Sequence, residues 1–371
     1  VAAIATALLS ALGSSALASS PAPGSVYVTS ANNTVSSYAI GSGGALKLEK
    51  ASIALKARGV PYSIALSPNG RYAYIAEDDY AKSAGVIAQY SIAGGGALVA
   101  DSTSTVKTGT GPIAIALSPN DRFAYVANED AGTVTQYTVG SGGTLTGGHA
   151  ISAGVAPDAI AISPNGRYVY IANQYAGKAS QRLGGVSQFT VAAGGALTSD
   201  RVASVAAGSQ PDAVVVAPNG RYVYVTNFRG SGGVSQYTIG AGGMLTADRT
   251  ATVKTGNAPH GIVISPDGRH VYVATEDGAG GEKSTVGGVS QYTVGAGGML
   301  APDATPAVKA GAGPFSITMA PGGHYVYVAN DSTRGAGGIS QYTIGAGGML
   351  VADRPPTVAG GDLPLAIVAA P

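Results

Sequence analysis

Pro157-Asp158-Ala159-Ile160-Ala161-Ile162-Ser163-Pro164-Asn165-Gly166-Arg167-Tyr168-Val169-Tyr170-Ile171-Ala172-Asn173 decides how the rest of the chain is read. Two prolines seven positions apart enclose a short aliphatic run, Ile160-Ala161-Ile162, of the kind that suits a strand buried on both faces. The following Ser163-Pro164-Asn165-Gly166-Arg167 is turn chemistry: proline presets φ, and Asn-Gly is expected to supply the left-handed conformation of a tight hairpin. The chain then reverses into Tyr168-Val169-Tyr170-Ile171-Ala172-Asn173, which alternates as a second strand should.

Moving outward, the proline pair recurs as Pro61/Pro68, Pro112/Pro119, Pro211/Pro218, Pro259/Pro266, Pro314/Pro321 and Pro364/Pro371. Successive copies are about fifty residues apart, a period that belongs to propeller blades. After the first two strands each copy supplies a third, such as Val234-Ser235-Gln236-Tyr237-Thr238-Ile239, a turn such as Gly240-Ala241-Gly242-Gly243, and a fourth strand beginning at a leucine such as Leu245. Four antiparallel strands make one blade. The chain ends are complementary fragments: Val26 to Leu46 offers strands two to four, and Leu365 to Ala370 offers a lone first strand. Pairing them in a shared blade closes a ring and removes open sheet edges. The predicted fold is therefore all-β, a seven-bladed β-propeller over residues 25–371.

Composition agrees with such a globule. Apolar residues make up 45% of the 371 positions, charged residues 11%, and glycine contributes 57. Disorder requires low hydrophobicity and high net charge, and this chain has neither. Its 21 basic and 20 acidic residues nearly balance and the basic ones are scattered, so no nucleic-acid partner is expected. Absence of cysteine excludes disulfides, thiolate metal sites and a cysteine nucleophile. Residues 1–24 are read as a signal peptide and linker: Ala2 to Ala18 is apolar and small, ends in Ala16-Leu17-Ala18 and leads into Ser19-Ser20-Pro21-Ala22-Pro23-Gly24. The run is too short and too broken by Gly13, Ser14 and Ser15 to be a membrane span. A bacterial protein, secreted or associated with the cell envelope and monomeric when mature, is expected.

Tyr224-Val225-Thr226-Asn227, with Tyr125-Val126-Ala127-Asn128 and Tyr327-Val328-Ala329-Asn330, resembles the YVTN-type repeat. The unit as a whole, from Ser25 to Pro371, is similar to the seven-bladed lactonase family that includes 6-phosphogluconolactonase. One blade resembles the family further, because Ala258-Pro259-His260 is followed by Ser265-Pro266-Asp267-Gly268-Arg269 and then by Glu276. The resemblance implies lactone chemistry at a His that opens strand one and a Glu that follows strand two.

Strand direction sorts the loops onto two faces. Short hairpins of constant length share the bottom, while the top receives loops of unequal length, the longest being 173–185 and 275–288. Insertions confined to one face mark the binding face. The residue behind each leading proline should ring the top of the channel: Tyr62, Ile113, Asp158, Asp212, His260, Phe315 and Leu365. The ends of the second strands, read as Glu77, Glu129, Asn173, Asn227, Glu276 and Asn330, should return to the same rim.

A lactone or ester hydrolase needs a base to activate water and donors for the oxyanion. His260 is the expected base, with Glu276 fixing its tautomer and Asp212 orienting water; Arg229 would meet an anionic substrate, and Tyr62, Asp158 and Phe315 would complete the ligand site. No cofactor is expected. Asp158, Asp212, Glu276 and His260 leave Ca²⁺ or Mg²⁺ as the alternative, although Ca²⁺ takes about six to eight oxygens and no spacing motif supplies them. A second class of function remains beside hydrolysis, a non-catalytic module that binds a small molecule or cell-envelope ligand through the long loops 175–182 and 276–285.

Overall fold

A computed structural model describes residues 24–55, 59–79, 84–175, 183–229, 232–277, 287–331 and 337–370. It contains seven four-stranded antiparallel sheets. Blades are numbered here from the first complete copy, which starts at Val60–Leu66; blades two to six open with Pro112–Leu117, Val155–Ile162, Pro211–Val216, Asn257–Ile264 and Pro314–Met319. Blade seven joins the two ends, with Pro364–Ala370 innermost, then Ser25–Ser30, Thr34–Ile40 and Leu46–Ala54. Val26 pairs with Ala369 and Val28 with Ile367, so the ring closes through backbone hydrogen bonds. None of the described helices is long and apolar enough to cross a membrane.

Four of the first strands, Pro112–Leu117, Pro211–Val216, Pro314–Met319 and Pro364–Ala370, are buried along their whole length, and the other three along their middles, because each has a neighbouring blade on both faces. Small residues at the third position of each copy permit this approach. A Cβ on Gly261 would sit 3.0 Å from the Ile317 nitrogen and 3.1 Å from the Phe315 oxygen, so blades five and six meet closely where glycine stands.

Two sets of side chains bind blade to blade. The first tyrosine of each Tyr-Val-Ala-Asn-like segment donates its hydroxyl to a glycine carbonyl in the next blade: Tyr27 to Gly96, Tyr74 to Gly143, Tyr125 to Gly195, Tyr170 to Gly243, Tyr224 to Gly298, Tyr272 to Gly348 and Tyr327 to Gly44, at 2.6–2.9 Å. The circle is complete. Third-strand glutamines add a second set, in which Oε1 of Gln89, Gln136, Gln188, Gln236, Gln291 and Gln341 accepts the N–H of the leucine that opens the next fourth strand.

Bottom hairpins differ in detail from the expectation. Gly166 is left-handed (φ 69°) but Asn165 is not; its Oδ1 instead accepts the Arg167 N–H at 3.0 Å, and the Ser163 hydroxyl accepts the Tyr168 N–H at 2.9 Å. The turn is held by side chains, so one left-handed residue suffices. The arginines in register here lie over the rings that follow them, Arg71 on Tyr72, Arg122 on Phe123, Arg167 on Tyr168 and Arg221 on Tyr222, at 5.3–5.9 Å.

Candidate functional site at the top of the channel

In four of the six blades the second strand end must be read one residue further along than the sequence spacing suggested, while Glu129 and Glu276 already stand there. The residue that pairs with the leading proline is Glu77, Asn128, Asn173, Asn227, Thr275 or Asn330 in blades one to six. The asparagines among these turn into their own blades: Nδ2 donates to a hydroxyl on the third strand, as from Asn173 to Ser187 at 2.9 Å and from Asn227 to Ser235 at 3.0 Å. They secure the blade rather than line the channel. The following residue, Asp78, Glu129, Gln174, Phe228, Glu276 or Asp331, holds the position from which Gln174, Phe228 and Glu276 contact the inner ring.

That inner ring consists of the residues behind the leading prolines, and a shared backbone irregularity places them. In all seven blades the register between the first two strands shifts at this point, between Pro61 and Ser63 in blade one and between Pro259 and Ile262 in blade five, for example. A bulge leaves its residue out of the ladder and re-aims the side chain. The residue ahead of the proline bears the cost: Ala156, Gln210, Ala258 and Leu363 have φ of 46–50°, where Gly111 and Gly313 stand in blades two and six. Non-glycine residues in this conformation are strained.

All seven ring residues are buried. Leu365, Tyr62, Ile113 and Phe315 belong to one apolar cluster that fills one side of the centre. Asp158, Asp212 and His260 occupy the other side. His260 is 3% exposed, and both of its ring nitrogens meet carboxylates: Nδ1 lies 3.0 Å from Asp212 Oδ2, across the boundary between blades four and five, and Nε2 lies 3.1 Å from Glu276 Oε1 in its own blade. Phe228 and Phe315 close over the imidazole with ring centroids at 4.8 and 4.7 Å, the latter edge-on. Its backbone oxygen accepts the Thr226 hydroxyl at 2.7 Å.

Charge follows from this geometry. A neutral imidazole has one N–H and can donate to one carboxylate only, whereas the imidazolium donates to both. Burial by itself pulls the His260 pKa down, but the charge and hydrogen bond of Asp212, with those of Glu276, outweigh it and hold the group at about 9. The His260 hydrogen bond conversely keeps the Glu276 carboxyl below its ordinary value, and that side chain is half-exposed. Close by, burial and then the charge of Glu276 raise Asp331.

Asp158 is fully buried. Its Oδ2 accepts from Gln174 Nε2 at 3.1 Å, the same nitrogen reaches Glu129 Oε1 at 3.4 Å, and Asp158 Oδ1 has no partner. Burial, then the charges of Asp212 and Glu129, raise its pKa well above the ordinary carboxylate range. Glu129 is raised by burial and by Asp130, Asp212 and Asp78. Arg229 is exposed at the rim; its Nε donates to Gln210 Oε1 at 2.6 Å and its guanidinium lies 5.4 Å from the Phe228 ring centre.

The expected site residues thus fall into a connected group, Asp212, His260, Glu276 and Phe315, with Asp158 and Arg229 at its edge and Tyr62 on the apolar side. Gln174, Phe228 and Asp331 were missed from sequence; aligning each copy on its Tyr-Val-Ala-Asn segment and taking the residue after the asparagine finds them. Among the described residues, no three His, Asp or Glu side chains converge as metal ligands. The loops proposed for a binding module lie outside the described residues at 176–182 and 278–286, as do positions 1–23 of the proposed signal peptide. On the opposite face a depression of about 370 Å³ lies between the hairpins of blades five and six, lined in part by Asp267, His270 and His324.

Comparison with known proteins gives a consistent setting. The family described as Lactonase, 7-bladed beta-propeller, matches over residues 32–181, 82–229 and 229–360. No curated protein matches the chain. Among solved structures, a protein of Bacteroides fragilis provisionally named 6-phosphogluconolactonase is similar with 18% identity and a TM-score of 0.76, covering 96% of this chain and 100% of its own. The periplasmic gluconolactonase of Pseudomonas aeruginosa is similar with 17% identity and a TM-score of 0.70, covering 94% and 99%.

Proposed function

Because the chain belongs to the seven-bladed lactonase family, we propose that it hydrolyses a lactone at the top of its channel. The observation that carries this reading is the Asp212–His260–Glu276 chain of contacts at 3.0 and 3.1 Å, set at the rim where the bulges of blades four and five deliver it. The roles differ from those expected of the residue types. A doubly paired imidazolium has no lone pair to accept a proton near neutral pH, so the base is Glu276, ionised, half-exposed and bound to His260 through one oxygen only. Glu276 takes a proton from water as that water attacks the lactone carbonyl carbon. The tetrahedral intermediate collapses with cleavage of the ring C–O bond, and the proton returns to the departing ring oxygen, giving a hydroxy acid. His260, fixed by Asp212, holds Glu276 in place and keeps it ionised. Arg229 is placed at the rim for the negative charge that develops on the substrate.

The test is hydrolysis of a panel of sugar lactones by purified protein. Glu276→Gln should lower kcat by about 10²- to 10⁴-fold, the usual contribution of a positioned base. Equal rates in the two proteins would reject the assignment. The same reading places the mature monomer outside the cytoplasm, supported by the leader-like Ala2 to Ala18. Cell fractionation followed by N-terminal sequencing tests it, and an uncleaved cytoplasmic product would oppose it.

A further inference from the structure

We infer that Gln210 is a positioning residue of the site: it holds Arg229 at the rim of the mouth so that the outer edge of the guanidinium receives the carboxylate of the hydroxy acid as it forms. This deepens the lactonase reading and rests on it. Gln210 stands directly ahead of the leading proline of blade four with φ 49°. The same position is Gly111 and Gly313 in blades two and six, and Ala156, Ala258 and Leu363 in blades three, five and seven. Among these six, blade four alone places a polar side chain there, although glycine would meet the left-handed backbone without strain.

The amide of that side chain is used at both ends and ties two blades together. Its Oε1 accepts from Arg229 Nε at 2.6 Å, and its Nε2 donates to the Tyr175 hydroxyl of blade three at 3.0 Å. Turning the amide over would set its NH2 against the arginine donor. The backbone completes the clamp, since the Gln210 oxygen accepts the Phe228 N–H at 2.8 Å and the Ser209 oxygen accepts the Arg229 N–H at 3.1 Å. Held by Nε, the guanidinium lies 5.4 Å from the centre of the Phe228 ring, which is itself 4.8 Å from the centre of the His260 ring. An exposed arginine otherwise samples many rotamers, and ordering it in advance removes that cost from recognition. Engagement of Nε leaves the two Nη nitrogens, an edge that takes a carboxylate through two parallel bonds. His260 cannot serve instead, because Asp212 and Glu276 occupy both of its nitrogens, whereas Arg229 makes no ion pair with a described residue.

Gln210→Gly separates this role from a structural one, because glycine relieves the backbone while releasing the arginine. The variant should melt no lower than wild type yet lose about tenfold in kcat on the best lactone substrate, with KM within about twofold, since the lactone is neutral and the negative charge appears only along the reaction. Calorimetric titration reads the same contact without turnover: wild type should bind gluconate about tenfold more tightly than glucose, and Gln210→Gly should lose that preference. Arg229→Ala should reproduce both losses, and combining it with Gln210→Gly should add less than about twofold, as expected of two residues that act as one unit. Gln210→Ala, which carries the residue of blades three and five, gives the same comparison should the glycine variant not fold. Unchanged kcat and gluconate affinity in Gln210→Gly, a loss of activity that only tracks a loss of stability, or no gluconate preference in the wild type would each overturn the inference. Hydrolysis indifferent to Gln210→Gly would sink this inference alone; a gluconate preference that depends on Gln210, without any hydrolysis, would sink the lactonase reading alone.

Discussion

Asp212 Oδ2 and His260 Nδ1 meet at 3.0 Å across the boundary between blades four and five, so the central ion pair of the mouth is also a contact between two blades. Each blade is a separate sheet, and a pair made this way reports on their mutual placement. It also links the chemistry of the site to the stability of the ring.

The first consequence is a pH dependence. The His260 pKa is about 9 in the folded chain against an ordinary 6.5. A basic group raised on folding stabilises fully below the unfolded value and loses that contribution as pH rises through the folded one. Urea unfolding between pH 6.5 and 9.5 should therefore show a loss of roughly 3 kcal/mol in the wild type that His260→Gln does not share. Parallel profiles for the two proteins would contradict the imidazolium.

Glu77 gives the opposite case of a misplaced charge. It stands where four other blades have asparagine, and Ala88 replaces the hydroxyl residue that would face it; neither carboxyl oxygen has a partner in hydrogen-bonding geometry. Burial pushes its pKa to about 7, with the Gly59 N–H pulling the other way. The stabilising contribution of the protonated acid is complete below pH 4.5 and is lost as pH rises through 7. Glu77→Gln should thus be more stable than wild type at pH 8, by up to roughly 3 kcal/mol, and indistinguishable at pH 4.

Backbone strain at the mouth can be relieved directly. Ala258 has φ 46°, while its counterpart Gly313 in blade six has φ 65°. Ala258→Gly should raise stability by about 1 kcal/mol, because the left-handed cost of an L-residue exceeds the entropy cost of glycine. Gly313→Ala should destabilise by more, since its Cβ would meet the Asp331 carbonyl oxygen. Thermal melts of both variants check the pair.

Removing one member of the tyrosine circle tests how the ring is held. Tyr170→Phe deletes the hydroxyl that reaches the Gly243 carbonyl at 2.7 Å and leaves that buried acceptor without its donor. A loss of about 1–3 kcal/mol is expected, read from the denaturant midpoint.

Much of this was legible in the chain because repetition makes each copy a control for the others. The proline pairs gave the blade count, and the complementary ends gave the closure, since backbone pairing needs only strands of the right period. The position behind each proline was also found, but the bulge that turns it inward was not: nothing in Pro-Asp-Ala or Pro-His-Gly distinguishes a bulged strand from a regular one. The left-handed residue ahead of proline runs against local preference, because proline disfavours it, and appears only when tertiary packing imposes it. Glu129 and Glu276 were grouped with Asn173 and Asn227 by spacing, whereas strand register separates them: Asn173 and Asn227 pair with their leading prolines, and the two glutamates stand one residue beyond the partners Asn128 and Thr275. The state of His260 depends on Asp212, 48 residues away, and so could not be read from its own blade.

The most direct test of the site is the pH profile of kcat/KM for the best lactone substrate, corrected for spontaneous hydrolysis. With Glu276 as the base and His260 as its charged support, activity should rise on a limb below pH 4.5 and decline near pH 9, where the imidazolium loses its proton. An acid limb near pH 6.5 that disappears in His260→Gln would show instead a free imidazole acting as the base, and would contradict the account.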